Sequence, residues 1–174
     1  RGWAKWLLNA LETYRVPRAL RARGFSAKLG RVFRDEDEVP ASCELNEQII
    51  QALTDSKFLI VVCSRHTPQS QWICREIELF REMGRGDNIL ALLIDGEPGE
   101  SFPKPLIEEE QVHELPDGTK HEEKVLVEPL AADVRPRSDE SMRDLRHMAL
   151  LRFAACILGC KFDDLRQRDR ERRN

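Results

Sequence analysis

The sequence predicts an α/β fold in which helices cover both faces of a parallel sheet. Two runs, 58–63 and 89–94, are apolar without interruption, as is typical of strands that a parallel sheet buries on both faces. Amphipathic helical patterns alternate with these runs, and such alternation indicates a doubly wound arrangement. The 174 residues are enough for one domain with a full core.

The first element is an amphipathic helix, because apolar residues recur at helical spacing from Trp3 to Tyr14. The helix should end before Pro17, since the residue that precedes a proline disfavours helical geometry. A basic loop then extends over residues 18–30. Only three or four strands are visible in total, so we expect a central strand to precede Trp3 and interpret the chain as lacking its first strand.

A strand, a loop and a helix are expected between the basic loop and the first buried run. The strand covers 30–35, the loop over 35–42 is acidic, and the helix covers 44–54 with apolar residues at helical spacing. Ser42 is the expected N-cap of this helix, because its hydroxyl can accept from amides of the first turn.

The middle of the chain continues the alternation of helix and strand. A helix over 72–83 should stop at Gly84 or Gly86, since glycine tolerates the left-handed conformation that ends helices. The second buried strand falls within 88–95. Residues 96–124 are rich in proline, glycine and glutamate, and we expect them to be the least regular part.

The last third of the chain contains a short edge strand and a long helix. The strand is expected over 125–130, and the helix begins at Ser138 or Ser141 and continues to about Gly159. Both serines can serve as N-caps, so the sequence leaves the start of the helix open.

Two parts of the chain differ in character. Residues 1–160 form the main domain, and the almost entirely charged residues 161–174 form a helical extension or a linker to a further domain. The tail 166–173 interleaves acids and bases, which favours a solvated, internally paired helix over binding to a membrane or nucleic acid.

Composition narrows the class of protein. The net charge is −3, so the whole-chain balance does not favour nucleic acid. The longest apolar stretch, 148–158, is interrupted by Arg152 and is too short to span a bilayer. The five cysteines are odd in number and lack a framework spacing, which predicts a reduced, cytoplasmic protein.

No metal or phosphate motif is visible in the sequence. The four histidines are scattered, and Cys156 and Cys160, one helical turn apart, are interpreted as apolar core residues. Gly84 to Asp87 follows a helix, so it is interpreted as a helix stop and not as a dinucleotide-binding loop. We therefore expect neither a metal nor a tightly bound cofactor.

The candidate site begins at the end of the first buried strand. Ser64 ends this strand, and Trp72 and Glu76 lie four residues apart on the helix that follows, which places both side chains on one helix face. Open α/β sheets bind ligands at the carboxyl ends of their strands. Glu76 alone could be a solvated glutamate, and Trp72 serves equally well as a wall of the site or as a packing residue.

Taken in order, these motifs resemble the Toll/interleukin-1 receptor (TIR) domain of the bacterial type. The matching pieces are Val32 to Asp35, the acidic loop that ends at Ala41, the runs 58–64 and 89–96, and Ser70 to Glu76. The Ser-x-Trp-x-x-x-Glu element in the last piece is the most specific single motif. The match covers roughly residues 1 to 100.

The resemblance implies a flavodoxin-like fold and an activity. TIR domains either cleave the nicotinamide–ribose bond of NAD+ or act as adaptors that only self-associate. In the first case Glu76 would be the catalytic carboxylate, since a carboxylate stabilises an oxocarbenium-like ribose. NAD+ would then be the substrate, and no further cofactor is needed.

The roles of the remaining site residues have alternative interpretations. Trp72, Ser64, Arg34 and Asp35 are the expected substrate-binding residues. Arg34 could meet a phosphate or pair with a neighbouring acid. The acidic loop 35–42 could gate the nucleotide site and contact the next subunit, or it could be a solvated loop.

The prediction is therefore an assembly-activated NAD+ glycohydrolase that releases nicotinamide and ADP-ribose or a cyclic variant. It would be the cytoplasmic effector domain of a bacterial antiviral defence protein, with a fused sensor or regulatory domain. Its expected partners are NAD+ and other TIR domains, with no direct contact to nucleic acid. The alternative is a non-catalytic TIR–TIR interaction module.

Overall fold

The computed structural model describes residues 2–34 and 47–174, and these residues form two compact units. The first unit contains residues 2–34 and 132–174, and the second contains residues 47–131. In chain order the elements are α1 (Gly2–Thr13), α2 (Arg18–Arg21), α3 (Glu47–Asp55), β1 (Leu59–Cys63), α4 (Gln71–Glu82), β2 (Ile89–Leu93), α5 (Pro98–Ser101), α6 (Lys104–Ile107), β3 (Glu108–Glu114), β4 (Lys120–Leu126), β5 (Leu130–Asp133), α7 (Met142–Leu158) and α8 (Phe162–Arg173).

The two buried runs form adjacent parallel strands, as predicted. β1 and β2 pair in register from Leu59 opposite Ile89 to Cys63 opposite Leu93. β5, within which the boundary between the two units falls, completes the order β1-β2-β5. The fold is thus of the α/β class, with helices flanking a parallel sheet.

The two strands differ in burial. All five residues of β2 are buried, including Leu90 and Leu92, so both of its faces are covered. In β1 only Val61 and Cys63 are buried, so the expectation of full burial over 58–63 is wrong. β1 is an edge strand of the described sheet, and an edge strand has no neighbour to shield one of its sides.

The core of the second unit fixes the position of α4. Val61 and Cys63 of β1 and Ala91 of β2 belong to the same buried cluster as Ile77 and Phe80 of α4. Both α4 side chains are completely inaccessible to solvent. Burying side chains of this size contributes about 1.5–3 kcal/mol each, so the rotation of α4 about its axis is strongly specified.

Arginine side chains hold the ends of the helices around this core. The Arg85 guanidinium donates to the carbonyl oxygens of Leu53, Thr54 and Ser56 at 2.7–3.0 Å. These carbonyls end α3, where intrahelical partners are lacking. The Arg81 Nε donates to the Pro105 carbonyl at 2.7 Å and so joins α4 to α6.

The strand predicted over 30–35 is absent from residues 30–34, and that prediction is wrong for this part. Gly30 has a φ of +104°, and the Val32 amide donates to the Glu12 carboxylate at 2.9 Å instead of to a strand. Phe33 is 60% exposed. Asp35, the acidic loop 35–42 with its Ser42 N-cap, and the start of the 44–54 helix lie outside the described residues.

The stretch 96–124 is regular, contrary to expectation. It contains α5, α6 and an antiparallel hairpin of β3 and β4, with Glu108 opposite Leu126 and Glu114 opposite Lys120. The strand expected over 125–130 is divided between β4 and β5. Pro129 separates the two strands, and proline cannot donate to a strand ladder.

The first unit is built on α1, α7 and α8. Ser141 is the N-cap of α7, since its hydroxyl accepts from the Asp144 amide at 3.1 Å, and the helix ends at Gly159, whose φ is +77°. This settles which of the two serines begins the helix. In the charge-rich α8, Leu165 is 0% exposed, so one face of this helix packs in the first unit.

A polar cluster accompanies the apolar contacts of α8. Asp169 is 3% exposed, and its carboxylate lies 2.6 Å from His147 Nε2 and accepts from Arg172 Nη2 at 2.9 Å. The Arg172 guanidinium also lies 5.6 Å from the centre of the Tyr14 ring. Helices α7 and α8 are thus joined by a polar network as well as by apolar packing, and Arg172 extends this network to Tyr14, the residue after α1.

Candidate active site

The helix α4 carries the two central residues of the predicted site. Ser70 caps its N-terminus, because its hydroxyl accepts from the Ile73 amide at 3.3 Å. Successive helical residues are about 100° apart, so Trp72, Glu76 and Phe80 follow one another along a single stripe of α4. Phe80 is completely buried, and Trp72 and Glu76 are half-buried. The prediction that Trp72 and Glu76 share a face is therefore confirmed.

Glu76 has an unusual environment for a helical glutamate. Its neighbours one turn away in both directions are aromatic, and the next residue, Ile77, is fully buried. Charged side chains normally lie on the opposite, solvated face of an amphipathic helix. Glu78 occupies that other face: it is exposed, and its carboxylate lies 3.5 Å from Arg75 Nη1.

Trp72 packs partly against the core of the second unit. This contact supports the packing role that the sequence left open. A half-buried indole still presents part of its surface, so the two roles are compatible.

Ser64 lies in a tight polar turn at the carboxyl end of β1. Its amide donates to Thr67 Oγ1 at 2.8 Å, and Thr67 Oγ1 in turn donates to the Val62 carbonyl at 3.2 Å. The Ser64 hydroxyl accepts from the His66 amide at 3.3 Å. These bonds fix Ser64 at the strand end, where the sequence placed a ligand-binding residue.

Sequence reasoning missed the neighbouring charged group. Arg65 Nε lies 3.6 Å from the Asp95 carboxylate and 3.5 Å from the Glu100 carboxylate, beyond the carboxyl ends of β1 and β2. All three side chains are about half exposed, so this network contributes little to stability. The available signal was a charged residue within two positions of the end of each predicted buried strand, Arg65 and Asp95, because parallel strands end at the same edge of a sheet.

Gly96 allows the chain to turn closely at this edge. Its φ is +78°, and a Cβ at this position would lie 2.3 Å from Ser101 Oγ and 2.7 Å from the Arg65 side chain. Ser101 is buried and donates to the Asp95 carbonyl at 2.8 Å. The chain is thus closely packed at this edge of the sheet, and no side chain fits at position 96.

The predicted site residues belong to different units of the structure. Ser64, Trp72 and Glu76 lie in the second unit, whereas Arg34 is a half-buried residue of the first unit. Asp35 lies outside the described residues, so its role stays a prediction.

Two surface depressions lie in the first unit, and neither includes Glu76. One, of about 440 Å³, follows α8 from Asp163 to Asn174. The other, of about 560 Å³, is lined by Glu12, Lys28, Gly30, Arg31 and Val32.

The described residues offer no group of three or more histidine, cysteine or acidic side chains that could hold a metal ion. Within the same residues, no helix is long and apolar enough to cross a membrane. Cys63, Cys74, Cys156 and Cys160 are free thiols. Burial raises the pKa of Cys63 to about 12, so this thiol is not a nucleophile.

Comparison with known proteins identifies the family. The profile described as "TIR domain" matches residues 1–127. No curated protein and no solved structure matches the chain. Because the profile covers 127 of the 174 residues, including β1, α4 and β2, the chain belongs to the TIR domain family.

Proposed function

We propose that this TIR domain cleaves the nicotinamide–ribose bond of NAD+ and that Glu76 is the catalytic carboxylate. The observation that carries the proposal is the position of Glu76 between Trp72 and Phe80, half-buried on a helix that begins just beyond the carboxyl end of β1. Phe80 on the same stripe is completely buried, so the Glu76 carboxylate lies at the border between the core and the solvent. The family includes members that cleave NAD+ and members that signal.

The reaction requires stabilisation of a positive charge. When the C1′–N bond of the nicotinamide riboside breaks, its electron pair leaves with nicotinamide and the ribose becomes oxocarbenium-like. Attack by water on C1′ releases a proton and gives ADP-ribose, and attack by a nitrogen of the same molecule gives a cyclic product. A carboxylate about 4 Å from the cation stabilises it by about 4 kcal/mol at an effective dielectric constant of 20, or roughly a thousandfold in rate.

The other predicted residues have supporting roles in this proposal. Trp72 offers an apolar wall beside Glu76, and the Ser64 hydroxyl offers a polar contact at the strand end. Arg34 and Asp35 would contact the nucleotide from the segment before the acidic loop. NAD+ would be bound as a substrate, without a further cofactor or metal.

The biological setting is part of the proposal. The domain would be the cytoplasmic effector of a bacterial antiviral defence protein, and a fused sensor or regulatory domain would control its self-association. Membership of the TIR family supports TIR–TIR association in general.

The test is nicotinamide release from NAD+ by the full chain over a range of protein concentrations. Glu76→Gln keeps the shape of the side chain and removes its charge, so turnover should fall roughly 10²- to 10³-fold with little change in melting temperature. Glu78→Gln is the matched control, since it removes a charge from the exposed face of the same helix. Wild-type turnover by Glu76→Gln would refute the assignment.

The second candidate is a non-catalytic interaction module. It is favoured by a group of exposed apolar side chains in and beside the β3–β4 hairpin, among them Val112 at 57% and Leu126 at 76% exposure. A folded, self-associating wild type that releases no nicotinamide at any concentration would establish this function instead.

A further inference from the structure

One segment of the first unit concentrates positive charge in a protein that is acidic as a whole. Residues 15–34, the basic segment, contain seven arginine and lysine residues and no acidic residue, whereas the chain has a net charge of −3. The exposed members of this set are Arg15, Arg18, Arg21, Arg23, Lys28 and Arg31. Seven like charges in twenty residues create a strong local field that favours an anionic partner.

The basic segment also has a concave surface. Lys28 and Arg31 line the depression of about 560 Å³ together with Gly30, Val32 and the Glu12 carboxylate, which accepts from the Val32 amide. Arg23 is paired with Asp164 of α8, which neutralises one charge of the segment. With Arg23 paired and the Glu12 carboxylate at the depression, the segment still keeps a net positive charge for a partner that carries several carboxylates.

The second unit carries the complementary feature. Residues 108–126, the acidic hairpin, are formed by β3, β4 and their turn, and they contain seven acidic residues against two lysines, a net charge of −5 with neutral histidines. All sixteen residues from 109 to 124 are exposed to solvent, so neither face of the ribbon is covered. The acidic side chains thus lie on a ribbon that is exposed to solvent.

The acidic hairpin also exposes apolar surface. Val112, Leu115 and Leu126 are 57%, 45% and 76% exposed. A two-stranded ribbon with no covered face is marginally stable in water, and exposed apolar side chains on it mark an interaction surface. The ribbon therefore has both the charge and the apolar contacts that a partner would use.

We propose that the acidic hairpin of one copy of this chain docks on the basic segment of a second copy. The formal charges of +7, of which Asp164 neutralises one, and −5 are complementary, and both surfaces are exposed within their own units. Complementary fields accelerate encounter and select the partner. This contact would be the interface of the self-association that the proposed function requires. Only its biological purpose rests on the proposed function.

The contact is heterologous, because the two surfaces differ. Each copy that docks its hairpin leaves its own basic segment available, so the contact propagates from head to tail into rings or filaments. Seven strand residues span about 23 Å at 3.3 Å per residue, so one hairpin covers less than a standard interface. We therefore expect a weak contact that forms at high protein concentration and low salt.

Two charge reversals test the interface from its two sides. Lys28→Glu/Arg31→Glu changes the basic segment at its depression. Glu109→Lys/Glu122→Lys changes the hairpin, and each of these glutamates lies opposite a valine, so the reversal sets no like charges against each other across the ladder.

A third variant controls for net charge. Arg166→Glu/Arg170→Glu alters exposed residues of α8 by the same amount as the change in the basic segment. All variants are first compared with the wild type by circular dichroism and melting temperature, so that only folded proteins enter the assay.

The measurement is sedimentation velocity over a concentration series at about 0.05 M and about 0.5 M salt, where the screening length shortens severalfold. The wild type and the α8 variant should associate at low salt and dissociate at high salt. Each interface variant alone should show at least a roughly tenfold higher dissociation constant. A mixture of the two interface variants should form dimers but no longer assemblies, because one unmodified hairpin and one unmodified basic segment remain.

Several results would overturn the inference. These are a wild type that is monomeric at every concentration, an interface variant that associates like the wild type, and a mixture that fails to form dimers. If only the basic-segment variant lost association, the acidic hairpin would not be the partner of the basic segment, and a different polyanionic surface would bind there. NAD+ turnover is not part of this readout, so an assembly without turnover would refute only the proposed function, and turnover by a strict monomer would refute only this interface.

Discussion

Replacing Tyr14 with phenylalanine should stabilise the protein. Tyr14 is 7% exposed, and its hydroxyl makes no hydrogen bond of good geometry among the described residues, although the Arg172 guanidinium is near enough to lower its pKa. A buried hydroxyl that lacks a partner costs about 1–3 kcal/mol. Phenylalanine keeps the ring and its contact with the Arg172 guanidinium. We therefore expect Tyr14→Phe to raise the free energy of unfolding at neutral pH by about 1 kcal/mol.

The same hydroxyl gives the stability a defined pH dependence. Burial, followed by the nearby Asp169 charge, raises the pKa of Tyr14 from 10.0 to about 12. The folded-state pKa lies above the unfolded value, so the contribution is fully present below pH 10 and is lost as the pH rises toward and through 12. The stability lost over this range is about 3 kcal/mol, and about half of the loss should have occurred by about pH 11.

Urea unfolding of the two proteins from neutral pH to about pH 11 measures both effects. Lysines and thiols titrate in wild type and variant alike, so the difference between the two curves isolates Tyr14. Tyr14 is the single tyrosine of the chain, and its tyrosinate absorbance therefore reports the pKa directly. A variant less stable than the wild type, or a difference that does not change above pH 9, would refute the reasoning by showing that the hydroxyl is hydrogen-bonded.

Three further changes test other parts of the structure. Asp169→Asn removes the buried charge beside Arg172 and should lower the free energy of unfolding by about 3 kcal/mol in urea titration, whereas a change below 1 kcal/mol would contradict the buried pairing. Gly96→Ala should cost about 1–3 kcal/mol in the same assay, because φ is positive and the new Cβ meets Ser101; Gly84→Ala, with open space around it, should cost less. Cys63→Ala should leave the number of thiols that react in the native protein unchanged, and a decrease by one would show that this buried thiol is accessible.

The parts of the fold that the sequence predicted well are those with strong periodic signals. β1, β2 and α4 follow from two continuous apolar runs and from an apolar stripe that begins after a capping serine. The start of α7 was narrowed to two serines, and the structure selects Ser141 because its hydroxyl reaches the Asp144 amide.

The errors have local physical causes. The sequence of residues 30–34 is typical of a strand, but the Val32 amide donates to the Glu12 carboxylate, twenty positions earlier in the chain. No sequence pattern predicts that hydrogen bond. The acidic hairpin lacks apolar alternation because both of its faces are exposed, so the period-2 signal of a half-buried strand is missing. Arg65, Asp95 and Glu100 meet only through the parallel pairing of β1 and β2.

The candidate carboxylate depends on the same packing that determines the fold. Ile77 and Phe80 are completely buried, and together they fix the rotation of α4 about its axis. Given that rotation, the stripe that contains Phe80 must also contain Glu76, and Glu78 must point about 200° away from it. The half-burial of Glu76 therefore follows from the packing of these two apolar neighbours. A carboxylate held in this way needs little reorganisation when a positive charge develops beside it, which is the condition under which electrostatic stabilisation is most effective.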